Sequence, residues 1–145
     1  MTSQQKMIAY PDRREWALDG HEVTCIRIDY RFGFDCWWYV KDPDHENLLS
    51  VTIGTPFMLE LPSGTVECTP EDTGTLGPAL SILHKPLSKF IAFRDGTMEA
   101  VFSDGSKVRA SKHEQYESWE AHGEGELKDV ALLCSPHDGP PWGQA

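Results

Sequence analysis

Short runs of alternating apolar and polar residues, broken by turn signals, occupy most of the chain. Residues 21–29 (HEVTCIRID) and 31–40 (RFGFDCWWYV) flank Tyr30 and predict a β-hairpin. The apolar pattern sets its register with Ile28 opposite Phe32 and Ile26 opposite Phe34, in preference to Cys25 facing Cys36. Neighbouring strand residues point to opposite faces, so one of Trp37 and Trp38 belongs in the core and the other outside it. Residues 49–53, 57–61 and 65–68 read as further strands, the last two joined at Pro62-Ser63-Gly64. Residues 87–93, 97–102 and 106–110 are separated by Asp95-Gly96 and Asp104-Gly105. Asp-Gly suits tight hairpins because Gly accepts the positive φ they need, so residues 87–110 predict a three-stranded meander.

One helix is expected, over residues 75–84 (TLGPALSILH). Leu76, Leu80 and Leu83 recur at i, i+4 and i+7, Pro78 fits a first turn, and Pro86 stops continuation. A helix this short needs its leucine face packed on a sheet. The two halves of the chain also resemble each other. Leu18-Asp19-Gly20 matches Leu83-His84-Lys85 as the lead into a strand and hairpin, and Leu61-Pro62-Ser63-Gly64 matches Phe102-Ser103-Asp104-Gly105. The fold class expected is mainly β (α+β): antiparallel meanders, either duplicated or alike by coincidence, forming a sandwich or bent sheet with one short helix. Residues 1–15 are polar and expected as a flexible lead-in, and residues 16–145 as one β-rich domain, ending in an irregular Pro/Gly-rich tail.

Composition narrows the function. The chain has 145 residues, enough for an independent core, and a formal net charge of −10. That charge repels nucleic acid and anionic lipid, which need Lys and Arg to displace counterions, so neither is an expected partner. It favours basic proteins or cations instead. No signal-peptide pattern opens the chain and no apolar run could span a bilayer, so a cytoplasmic location is expected, with Cys25, Cys36, Cys68 and Cys134 reduced.

Catalytic and metal chemistry find little support. Cys134-x-x-His137 is the only close Cys/His pair, and a structural zinc site needs two. There is no G-x-S-x-G, H-E-x-x-H or phosphate-loop motif, and His113-Glu114 and His137-Asp138 are merely adjacent. No cofactor, no metal and no enzymatic activity are expected.

The distinctive segment is residues 113–125, HEQYESWEAHGEG. Ser111 and Glu114 have capping-box spacing for a short helical turn. Beyond it, Tyr116, Glu117, Trp119 and Glu120 interleave large aromatics with carboxylates, a mixture suited to a basic protein partner. As a strand it would set Tyr116 and Ser118 on one side and Glu117 and Trp119 on the other. The charge is uneven: residues 114–129 carry six acids against Lys128 alone, while residues 85–112 carry six bases against three acids. These four residues are the candidate partner-binding group, anchored by whichever of Tyr116 and Trp119 is exposed.

The order L-D-G-H-E-V, P-F-x-L, L-G-P-A-L-x-x-L, D-G-x-x-x-x-x-F-x-D-G and Y-E-x-W-E, spanning Trp16 to Trp142, resembles a family of small uncharacterised bacterial proteins common in actinobacteria. Its more specific pieces are Leu76-Gly77-Pro78, Asp104-Gly105 and Tyr116-Glu117-x-Trp119. The family tail C-x-P-G-G departs here to Cys134-Ser135-Pro136-His137-Asp138-Gly139. The resemblance implies no activity or catalytic residue. Small acidic proteins of this type include immunity partners of secreted toxins. The expected function is therefore a non-catalytic, immunity-like protein that occludes a basic protein partner such as a toxin. The alternatives are a small-molecule-binding β-domain with its ligand between the two β-units, and an inert accessory domain.

Overall fold

The computed structural model describes residues 7–38, 48–136 and 139–143, the Trp38 side chain excepted. Its strands are β1 (Met7–Ala9), β2 (Arg13–Ala17), β3 (His21–Ile28), β4 (Phe32–Trp38), β5 (Leu48–Ile53), β6 (Phe57–Leu61), β7 (Gly64–Cys68), β8 (Leu87–Phe93), β9 (Met98–Phe102), β10 (Lys107–Ala110), β11 (Trp119–Glu124) and β12 (Ala131–Cys134). They form a seven-stranded sheet, β1-β2-β8-β9-β10-β6-β7, and a five-stranded sheet, β12-β11-β5-β4-β3. Every pairing is antiparallel. The fold is the mainly β, sandwich-like arrangement that the alternating pattern predicts.

The inward positions follow that alternation. Met98, Ala100 and Phe102 of β9 and Val108 and Ala110 of β10 are buried from one sheet; Phe32, Phe34 and Cys36 of β4 and Leu49, Val51 and Ile53 of β5 are buried from the other. Trp16, Phe57, Phe90 and Trp119 fill the space between. A ligand between the sheets would have to displace these rings. The first hairpin takes the expected register, Ile28 opposite Phe32 and Ile26 opposite Phe34. Trp37 is half-buried, on the face opposite Cys36.

The topology repeats one arrangement, with a different correspondence from the sequence alignment. β3-β4-β5 is a meander in the small sheet, followed by the β6-β7 hairpin in the large one. β8-β9-β10 is a meander in the large sheet, followed by the β11-β12 hairpin in the small one. Each hairpin joins the other half's meander at its third strand, β6 on β10 and β11 on β5. Both leading strands also carry a register shift, between Val23 and Cys25 in β3 and between Leu87 and Lys89 in β8. β3 meets the segment leading into β8 through Val23 N to Lys85 O and His84 N to Val23 O. The turn at residues 61–64 therefore corresponds to the β11–β12 connection, and its match to residues 102–105 reflects only shared turn chemistry.

Two expectations change. The helix is a 3-10 helix, Gly77–Ile82, with three residues per turn. Its buried face is consequently Leu76, Ala79 and Ile82 at i, i+3 and i+6, while Leu80 is 49% and Leu83 40% exposed. The leucine face read at α-helical spacing is thus not the packed one. The lead-in also contributes to the sheet: β1 and β2 pair with each other, β2 pairs with β8, and Trp16 reaches the core.

Candidate partner-binding surface

Residues 111–118 carry the chain from β10 in the large sheet to β11 in the small one, across one end of the sandwich. Strand pairing begins at Trp119, not at Tyr116, and this decides which aromatic is available. Trp119 is 2% exposed. Its Nε1 donates to the Gly96 carbonyl at 2.8 Å, and Phe90 meets its ring edge-on at 6.1 Å. Gly96, at φ 99° in the β8–β9 turn, also accepts from the Cys134 thiol at 3.3 Å. Trp119 is therefore a core residue and leaves the candidate surface.

Tyr116 is 63% exposed, its ring packed on His113 at 5.1 Å between centroids. The turn before it is capped by His113, whose Nδ1 accepts from Gln115 N and Tyr116 N, and not by a Ser111–Glu114 box. Glu117 is exposed and Glu120, alternating with buried Trp119 and Ala121, lies half-buried on the outer face of β11. Glu117 and Glu120 share the wall of a cavity of about 60 Å³ with Arg31, Thr52, Gly54 and Leu133. A Cβ on Gly54 would lie 3.6 Å from Arg31 Cγ and 3.7 Å from the Glu117 carbonyl, so the β3–β4 turn and the crossover meet there. At the tip of that turn Tyr30 is 87% exposed, and Ile28 beside it and Leu133 across the cavity are exposed as well. One corner thus gathers Tyr30, Tyr116, Glu117, Glu120 and Leu133. Tyr30 and Leu133 were missed because one sits in a turn and the other is a single exposed leucine in an apolar strand. Only the fold brings them together.

Charge is distributed unequally over the two outer faces. On the large sheet Lys107 and Arg109 approach Glu99 at 3.7 and 3.6 Å, and Lys89 and Arg13 approach Glu15 at 3.9 and 2.6 Å. Lys85 meets Asp104 at 2.6 Å, and with the Ser106 N–H this holds the Asp104 carboxyl down at about 2. The bases of residues 85–112 are largely occupied there. Glu117 and Glu120 make no ion pair among the described residues.

The small sheet's outer face also carries a polar row that the sequence reading did not single out. Arg27 Nη2 reaches Asp35 at 3.0 Å and Ser50 Oγ at 3.1 Å, and Ser50 Oγ donates to Asp35 at 2.8 Å. His122 stands opposite Ser50 in the register. The serine proton points to the carboxylate, so Asp35 and Ser50 act as a cross-strand bracket for Arg27, which lies over Gly33. Cys134 is buried, and burial raises its thiol pKa. His137, the other half of the Cys-x-x-His pair, lies outside the described residues. Among the described residues, no group of His, Cys, Asp and Glu could hold a metal ion, and no helix is long and apolar enough to cross a membrane.

The family of unknown function DUF6188 matches residues 15–139. No curated protein and no solved structure matches the chain.

Proposed function

The chain belongs to that family of unknown function, and we propose from its own surface that it is a cytoplasmic, non-catalytic binding protein that occludes a basic protein partner in the manner of an immunity protein. The supporting observation is the corner itself. Two carboxylates without ion pairs, Glu117 and Glu120, stand among exposed Tyr30, Tyr116 and Leu133, while the bases Lys85, Lys89, Lys107 and Arg109 of the opposite sheet are paired with Glu15, Glu99 and Asp104. Aromatic anchors resist dissociation by filling a partner's recesses, and unpaired acids draw a basic surface in and fix its orientation. Tyr30 and Tyr116 take the anchoring part in place of buried Trp119.

Affinity capture from the native cytoplasm tests this reading. The wild-type chain should retain one basic protein. Glu117→Lys with Glu120→Lys should lose it, as should Tyr30→Ala with Tyr116→Ala. Glu60→Lys with Glu67→Lys, on the large sheet, should retain it. Equal retention by all three variants would remove the corner as the working surface.

A further inference from the structure

A single imidazole holds the turn that presents Tyr116. Gln115 N donates to His113 Nδ1 at 3.0 Å and Tyr116 N donates to the same atom at 3.2 Å, while the tyrosine ring packs on the imidazole. Residues 114–117 are exposed and lie outside β10 and β11, so no sheet ladder fixes them. Two N–H groups aimed at one ring position require a lone pair there. An imidazolium has none, because both its nitrogens carry protons. Charged His113 would set N–H against N–H at both contacts.

We propose that His113 is a pH-sensitive latch on the partner surface: neutral, it fixes Tyr116 in its presenting position; protonated, it releases the turn. The proposal rests on the reading of Tyr116 and Glu117 as partner-binding residues and adds their regulation. Histidine is the side chain whose charge ordinarily changes between about pH 5 and 8. Because the latched form needs the neutral ring, the latch loosens as the pH falls. The charged groups on its own segment are Lys112, Glu114 and Glu117; the β8–β9 turn, which carries Asp95, packs on Lys112 at Gly96, and Arg31 approaches the Glu117 backbone at Gly54. Among the described residues no carboxylate forms an ion pair with His113, so only the Tyr116 ring, 5.1 Å away between centroids, meets the charged imidazole when the two bonds are lost. Release would leave Glu117 on the surface while freeing its aromatic neighbour, so the site would lose its anchor before its charge.

Amide hydrogen exchange at Gln115 and Tyr116, followed by NMR and corrected for intrinsic exchange, tests the latch without any partner. Protection should fall about fivefold or more between pH 8 and pH 5, the loss expected for one hydrogen bond from a backbone N–H to a side chain. His113→Asn keeps an acceptor oxygen that does not titrate, so its protection should stay level across the same range. His113→Ala should lack the protection at both ends. A wild-type change below about twofold, or an equal fall in the Asn variant, would overturn the proposal. Such a failure would leave the binding surface to the capture experiment, which is performed at one pH.

Discussion

Gly96 and Gly105 occupy the same kind of position, the glycine of an Asp-Gly turn, at φ 99° and φ 90°. Replacing either with Ala puts a Cβ on left-handed backbone, which costs about 1–2 kcal/mol. Their surroundings differ. At Gly105 the new Cβ meets nothing within 4 Å. At Gly96 it lies 2.8 Å from Lys112 Cβ and 3.1 Å from Cys134 Sγ. The β8–β9 turn would have to move, and its carbonyl is the acceptor for both Trp119 and Cys134. Overpacking of this sort adds about 1–3 kcal/mol, so Gly96→Ala should cost about 2–5 kcal/mol against about 1–2 for Gly105→Ala. Urea unfolding followed by tryptophan fluorescence gives both values, with an unchanged denaturant slope showing that only stability moved. If the two costs agree within about 0.5 kcal/mol, Gly96 is not packed against β12 and the loop after β10, and the core role given to Trp119 fails with it.

The 3-10 helix makes a contrasting pair: Ile82→Ala should lose about 2–5 kcal/mol in the same titration, while Leu80→Ala, on the exposed face, should change stability by under about 0.5 kcal/mol. Asp104 is held at about 2 by Lys85 and Ser106, below its ordinary 3.8. Its stabilisation is therefore complete above 3.8 and lost as pH falls toward about 2. Acid titration of wild type against Lys85→Met should show the gap between them closing across that interval. Cys25 is exposed and the other three thiols are buried, with burial raising Cys36, Cys68 and Cys134. A thiol reagent should label Cys25 rapidly in the native state and reach the other three only on denaturation.

Strands were legible where one face is buried and the other solvated. The β8–β10 meander could be read from Met98, Ala100 and Phe102 alternating with Glu99 and Val101, and from two Asp-Gly turns. The first hairpin's register followed from its apolar positions, although the shift after Val23, which moves the inward positions from odd to even numbers, was not anticipated. The helix misled because Leu76 serves both periods: the i+4 spacing selects Leu80, whereas three residues per turn select Ala79 and Ile82, and Pro78 and Pro86 leave too little length for an α-helix to prevail. At the candidate surface, local sequence could place acids beside aromatics but not decide where β11 begins. That boundary depends on Trp119 finding the Gly96 carbonyl 23 residues away, a contact only the folded chain creates. Tyr30 joins Tyr116 through the meeting of the β3–β4 turn and the crossover, which no spacing records. The sequence charge asymmetry proved partly spatial: the bases of residues 85–112 are absorbed by Glu15, Glu99 and Asp104, two of them on the same segment.

Site-specific photo-crosslinking in the native host cell bears most directly on the partner surface. A photoreactive phenylalanine analogue would replace Tyr30, Tyr116 or Met58, the last on β6 of the opposite sheet. Tyr30 and Tyr116 should yield an adduct with the same basic protein, and Met58 should yield none. An adduct formed from Met58 but from neither tyrosine would contradict the account and move the working surface to the seven-stranded sheet.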